Sequence, residues 1–228
     1  MQEGDDLINI LLEGYDMDAP WLIDELKQVI RPEQRVAVVA LSFRDNRVHS
    51  LEDWELLYSA ERGKYYGGIT GGFKSYGISE QNVSFINYFS DNHETAAQKI
   101  RQADIVYFLG GLPDRMFARI HELGLYDELM CHKGIVMGYS AGAVIQSSEY
   151  YLVSDDDYHE FSYYKGLPYL NGFYIQVHYE GTPIQLAAIN RVLSERGKPV
   201  YALAHGHGGL MVKDGQVTTL GEVTLFTP

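Results

Sequence analysis

The sequence predicts an α/β fold: a mostly parallel sheet with helices on both faces, and short β hairpins at the C-terminus. Three observations predict it. Over the first 150 residues, short apolar runs suited to strands alternate with stretches whose apolar residues recur at helical spacing. The strand-like runs are nearly continuous in apolar character, as strands covered on both faces must be. The last third changes to several short strand-like runs, two of them joined by the hairpin turn Lys213-Asp214-Gly215-Gln216. A chain of 228 residues suits one domain with a sizeable core, and it has no internal repeat or low-complexity linker, so residues 1–228 read as a single α/β domain.

The elements follow in order. Residues 7–12 are a first strand. Residues 19–30 carry Trp21, Leu22, Leu26, Val29 and Ile30 at helical spacing, with Pro20 in the first turn, where a helix tolerates it. Residues 35–43, rich in Val and Ala, are a buried strand, and 51–62 a helix closed by Gly63. Gly67-Gly68-Ile69-Thr70-Gly71-Gly72 reads as a flexible stretch before a short helix or loop ending near Gly77. A strand over 83–89 leads to a helix over 93–101, capped by Asp91 or Asn92. Residues 104–109 are a buried strand ending on Gly110-Gly111. Helices over 115–123 and 126–132 precede a strand over 134–138. Further on come a strand over 173–177, a helix over 184–196 and short strands over 200–203, 209–213, 216–220 and 223–226.

A net charge of −13 repels phosphate backbones and anionic lipid, so nucleic acid and membrane are not expected partners. Eighteen Tyr and nine Phe supply core and cleft walls. The lone Cys131, which reads as a half-buried structural thiol, cannot form an internal disulfide and fits a reducing, cytoplasmic setting. Met1-Gln2-Glu3-Gly4-Asp5-Asp6 is acidic and lacks the basic start of a secretory leader.

The chemistry centres on Gly138-Tyr139-Ser140-Ala141-Gly142, a G-x-S-x-G pattern into which an apolar strand runs directly. Such a turn passes from strand to helix with almost no loop, so its flanking positions must be small and its apex side chain points into the crevice at the strand's carboxyl end. Ser140 is the candidate nucleophile, and the Ala141 amide a candidate oxyanion donor. The alternative is a tight turn with a buried serine bonded to backbone. A serine hydroxyl needs a base. His178 follows an apolar run 38 residues after Ser140, at a strand end that could meet it. Gly110 and Gly111 close another strand and could let backbone amides approach a substrate carbonyl. His205-Gly206-His207 could place two imidazoles on one strand face for a metal, but no H-E-x-x-H spacing supports it. No metal or cofactor is expected.

At these residues the chain resembles the dipeptidase E and cyanophycinase family of serine peptidases, whose fold is similar to class I glutamine amidotransferases and is flavodoxin-like in its doubly wound sheet. The elbow with Ala143, the strand Val106-Tyr107-Phe108-Leu109 with its glycine pair, and His178-Tyr179 carry the resemblance, over roughly residues 37–212. It implies a peptidase in which Ser140 attacks a small peptide and His178 is the base. The homodimer is one assembly it allows. A third group should orient His178. Some members keep this acid in a segment like Tyr201-Ala202-Leu203-Ala204-His205-Gly206, where this chain has His205. Asp155 is the choice from its distance after the serine, with Asp156, Asp157 and Glu160 as alternatives; Glu180 is too near His178 to be favoured. Two departures stand out: Leu112 replaces the usual Asn after the glycine pair, and Arg191 is the one basic residue in the stretch where arginines would hold an acidic substrate side chain. Both leave substrate specificity open, and a non-catalytic, ligand-binding relative is the competing reading.

Overall fold

Alternate residues of the central strands fall into two separate cores, which is what a sheet covered on both faces requires. Val36, Val38, Ile105 and Tyr107 pack into one core; Val39, Val106 and Phe108 pack into the other. The computed structural model describes residues 7–228; the acidic start, residues 1–6, lies outside them.

Five strands form the parallel block: β1 (Ile8–Leu12), β2 (Val36–Val39), β3 (Val83–Ile86), β4 (Ile105–Phe108) and β5 (Ile135–Tyr139), in the order β3-β2-β4-β5-β1. On one face lie α1 (Ile23–Leu26), α2 (Leu51–Tyr58) and α3 (Tyr66–Lys74), through Leu26, Trp54, Tyr58 and Phe73. On the other lie α4 (His93–Arg101), α5 (Pro113–Glu122), α6 (Tyr126–Cys131) and the short α7 (Ala141–Val144). Asn92 caps α4, its side chain accepting from the Thr95 amide at 3.0 Å.

The chain then leaves the parallel pattern. A separate hairpin, β6 (Glu149–Leu152) with β7 (Ser162–Lys165), is followed by β8 (Tyr174–Tyr179) and α8 (Pro183–Arg196). β9 (Val200–Lys213) pairs antiparallel with β1 and with β10 (Gln216–Phe226). Only the second half of β9 pairs with β1, from Gly209 opposite Leu12 to Lys213 opposite Ile8. Its first half therefore overhangs the carboxyl end of β1. β8 lies parallel on that overhang, so it approaches the same crevice from the opposite direction.

Several expectations change. The short strands predicted over 200–203 and 209–213 are one continuous strand, as are those over 216–220 and 223–226, with a register shift between Gly221 and Val223. The glycine-rich stretch is the helix α3: Gly67, Gly68 and Gly71 face open space, but a Cβ on Gly72 would come within 2.8 Å of Met17. Burial of Phe73 offsets glycine's cost of about 1 kcal/mol per helical site. The helix expected over 19–30 shortens to α1 within a run of turns. Cys131 is exposed, not half-buried.

Candidate active site

The elbow is built as the G-x-S-x-G spacing requires. A Cβ on Gly138 would meet the Gly142 carbonyl oxygen at 2.3 Å, and one on Gly142 would meet that of Phe108 at 2.1 Å, so both positions exclude any side chain. Ser140, between them, is forced to φ 50° and ψ −114°. Its amide donates to the Leu12 carbonyl at 2.9 Å, which ties the apex to β1. The buried Gln146 fastens the helix behind it, donating to the carbonyls of Gly142 at 3.0 Å and Ile10 at 3.2 Å.

His178 reaches this serine from β8. The register of β8 on β9 breaks between Gln176 and Tyr179, and His178 takes φ 52° in that break. A bulge of this kind re-aims a side chain. His178 Nε2 lies 2.8 Å from Ser140 Oγ, and His178 Nδ1 lies 2.7 Å from an Oε2 belonging to Glu13. Glu13 is 4% exposed and directly follows Leu12, so a single short segment holds the serine's amide and carries the carboxylate that faces His178. The same carboxylate accepts from the Gly206 amide at 2.6 Å and faces His205 Nδ1 at 3.2 Å.

The carboxylate beside His178 is thus Glu13, and the structure does not bring Asp155 to the histidine. Asp155 spends its carboxylate on the amides of Asp157 and Tyr158, both at 2.8 Å, closing a local turn. Asp157 pairs with Arg44, which holds its carboxyl below the usual range. Asp156 and Glu160 are exposed. Asp155, Asp156, Asp157 and Glu160 lie between serine and histidine in the chain; Glu13 lies far before both, as a carboxylate immediately after an apolar strand. Where the resemblance led to an acid near His205, the structure brings Glu13 in from β1, with His205 against it.

Gly111 and Gly110 do separate jobs. Gly111 has φ 136°, and a Cβ there would meet the Ser42 carbonyl oxygen at 2.4 Å. Gly110 is packed against the Tyr139 ring, and its carbonyl accepts from Ser42 Oγ at 2.6 Å. Leu112 donates its amide to the Ser42 carbonyl at 2.8 Å, so the loop after β4 is fixed by backbone contacts without a side-chain amide. Glu13, His178 and His205 offer ligand atoms within 4.8 Å of one another and could hold a metal ion, though a cation there would occupy the histidine that faces Ser140. His207 turns away and stacks on Trp21.

A serine on a strained strand–helix turn, hydrogen-bonded to an oriented histidine, is the arrangement of a serine hydrolase. The model of Peptidase family S51 matches residues 58–220, and the chain belongs to that family: it is a serine-type peptidase. Among solved structures, it is similar to a candidate peptidase E protein from Listeria monocytogenes EGD-e, with 18% identity, 95% of this chain and 99% of that one covered, and a TM-score of 0.66. It is also similar to a peptidase from an acI-B1 Actinobacterium, with 16% identity, 97% and 94% covered, and a TM-score of 0.60. At these identities the likeness concerns the fold. A comparison with curated protein sequences finds no match. Among the described residues, no helix is long and apolar enough to cross a membrane.

Proposed function

We propose that the peptidase activity runs through Ser140, His178 and Glu13, on small peptides. The observation that carries this reading is the continuous chain of contacts from Ser140 Oγ through the imidazole to the buried Glu13. His178 Nε2 takes the serine proton as Oγ attacks the scissile carbonyl, then returns it to the leaving amine. Glu13 accepts from Nδ1–H, fixes the tautomer and stabilises the imidazolium. The amides of Gly111 and Ala141 flank the attacked carbonyl and hold the developing oxyanion.

The non-catalytic alternative, motivated by Leu112 in place of Asn and by the open identity of the acid, is better served by a serine and base held apart, and a 2.8 Å separation argues against it. Turnover of a short-peptide library by the wild type, compared with Ser140→Ala and His178→Ala, tests the assignment. Both substitutions are expected to lower kcat by about 10³-fold or more. Wild-type turnover in either variant would remove that residue from the mechanism.

A further inference from the structure

A cavity of about 730 Å³ adjoins the elbow and is lined by Gly110, Gly111 and Tyr139. Its walls reach the elbow through Tyr139 and the glycine pair; Ser140 itself and the groups beyond it, His178, Glu13 and His205, are not among them. This asymmetry fixes which part of a substrate it receives, on the reading that Ser140 and His178 do the chemistry. The leaving nitrogen must lie at His178 Nε2 to collect its proton, so the leaving group sits on the histidine side. A cavity on the glycine side receives the acyl portion. Its volume exceeds that of one side chain and falls in the range of ordinary small-ligand sites.

The deep walls are aromatic and apolar. Tyr107 and Leu109, each 1% exposed, and Tyr58, 6% exposed, come from strand and helix ends. Tyr139 lies 6.1 Å from the Tyr107 ring and 6.2 Å from that of Tyr15, edge-on to the latter, so a run of aromatic rings begins beside the nucleophile. Burial raises the Tyr58, Tyr107 and Tyr139 phenols above the usual tyrosine range, so these walls stay neutral at physiological pH. An aromatic side chain suits such a space by stacking and burial.

The mouth is different. Arg47 and Lys64 line it and are exposed, and among the described residues neither makes an ion pair. Arg44 also lines it but is neutralised by Asp157. The one lining carboxylate, Asp53, accepts from the His49 amide at 2.9 Å. A cationic mouth in a chain of net charge −13 favours an anion there and opposes a free α-ammonium group. No cation lies among the deep aromatic walls named above. Arg191, the one basic residue that could have met an acidic side chain, lies over the Phe161 ring at 4.3 Å and pairs with Glu195 at 2.8 Å.

The geometry points to a substrate class: short peptides with an aromatic residue on the acyl side of the scissile bond and an acidic group one position before it, rather than a free N-terminal aspartate. The test separates binding from catalysis. Ser140→Ala protein is titrated with N-succinyl-Phe-p-nitroanilide, Phe-p-nitroanilide and Asp-p-nitroanilide, and binding is followed by calorimetry. The succinylated compound is expected to bind about tenfold more tightly than either of the others, a difference of about 1.4 kcal/mol. Adding Arg47→Ala and Lys64→Ala, both at exposed sites, should erase that advantage by weakening the succinylated compound, while Phe-p-nitroanilide, relieved of like-charge repulsion, binds no more weakly than before. Equal binding, or tightest binding of the aspartyl compound, overturns the inference. In parallel, the wild type is treated with a fluorophosphonate. Labelled Ser140 with the wrong binding order sinks only the substrate class; the right order with an unlabelled serine sinks only the catalytic assignment.

Discussion

Ser140 Oγ and His178 Nε2 lie 2.8 Å apart, and both residues hold a positive φ, 50° and 52°. Neither is glycine, so each conformation costs of the order of 1–3 kcal/mol, held in place by its surroundings. Two strained residues meeting through their functional atoms is the pattern of a site that gives up stability for geometry. Ser140→Gly should therefore raise the unfolding free energy by about 1 kcal/mol while abolishing turnover. Urea denaturation alongside a peptide-hydrolysis assay checks both halves, and a destabilised Ser140→Gly would mean that the apex is not strained.

Glu13 and Asp155 make opposite predictions. Glu13→Gln keeps the shape but leaves a neutral amide facing His178 Nδ1, and kcat should fall by about 10²–10⁴-fold. Asp155→Asn should alter kcat by less than about twofold, because that side chain serves a local turn. A large loss in Asp155→Asn with a mild one in Glu13→Gln would restore the acid to the position expected from sequence.

Arg119 holds one wall of the cavity. It is 4% exposed, donates to the carbonyls of Phe43 at 2.8 Å and Leu41, pairs with Asp45, and stacks 3.6 Å over the Phe43 ring. Arg119→Met leaves two carbonyls without their donor and should cost roughly 2–4 kcal/mol of stability. It should also raise KM more than it lowers kcat, since Ser42, Phe43, Arg44, Arg47 and Val48 line the cavity and not the histidine side. Equal stability by urea denaturation would show that the loop holds itself.

His132 sets an acid-side limit on stability. Burial holds its pKa below the usual 6.5, and its Nε2 has no partner among the described residues. Below about pH 6.5 the unfolded chain gains a proton there that the folded chain refuses, so stability falls as pH drops from that value toward the lowered folded one. The slope from this single group is at most about 1.4 kcal/mol per pH unit. In His132→Gln, the decline between pH 6.5 and pH 5 should be shallower than in the wild type; parallel curves from urea midpoints would contradict this.

What could be read in advance divides along physical lines. The parallel block and the strand–helix turn at Ser140 were legible because buried strands and the glycine spacing are local constraints written in adjacent residues, and the meeting of His178 with Ser140 because strand ends converge on one crevice. α3 was not, because four glycines suppress helix propensity and only the packing of Phe73 and the fit of Gly72 against Met17 recover it. The hairpin β6–β7 was hidden by its acidic connecting loop. The approach of Glu13 to His178 was not legible, because it depends on β9 overhanging β1 and carrying β8 back toward the crevice, a long-range pairing that a carboxylate after an apolar strand does not by itself reveal.

The central claim is that Ser140 is the nucleophile, and covalent labelling addresses it most directly. Intact protein is treated with a fluorophosphonate, digested and sequenced by mass spectrometry. A single adduct is expected on Ser140, absent from Ser140→Ala and slowed at least about 10²-fold in His178→Ala. An unlabelled protein, or an adduct on another serine that persists in Ser140→Ala, would contradict it.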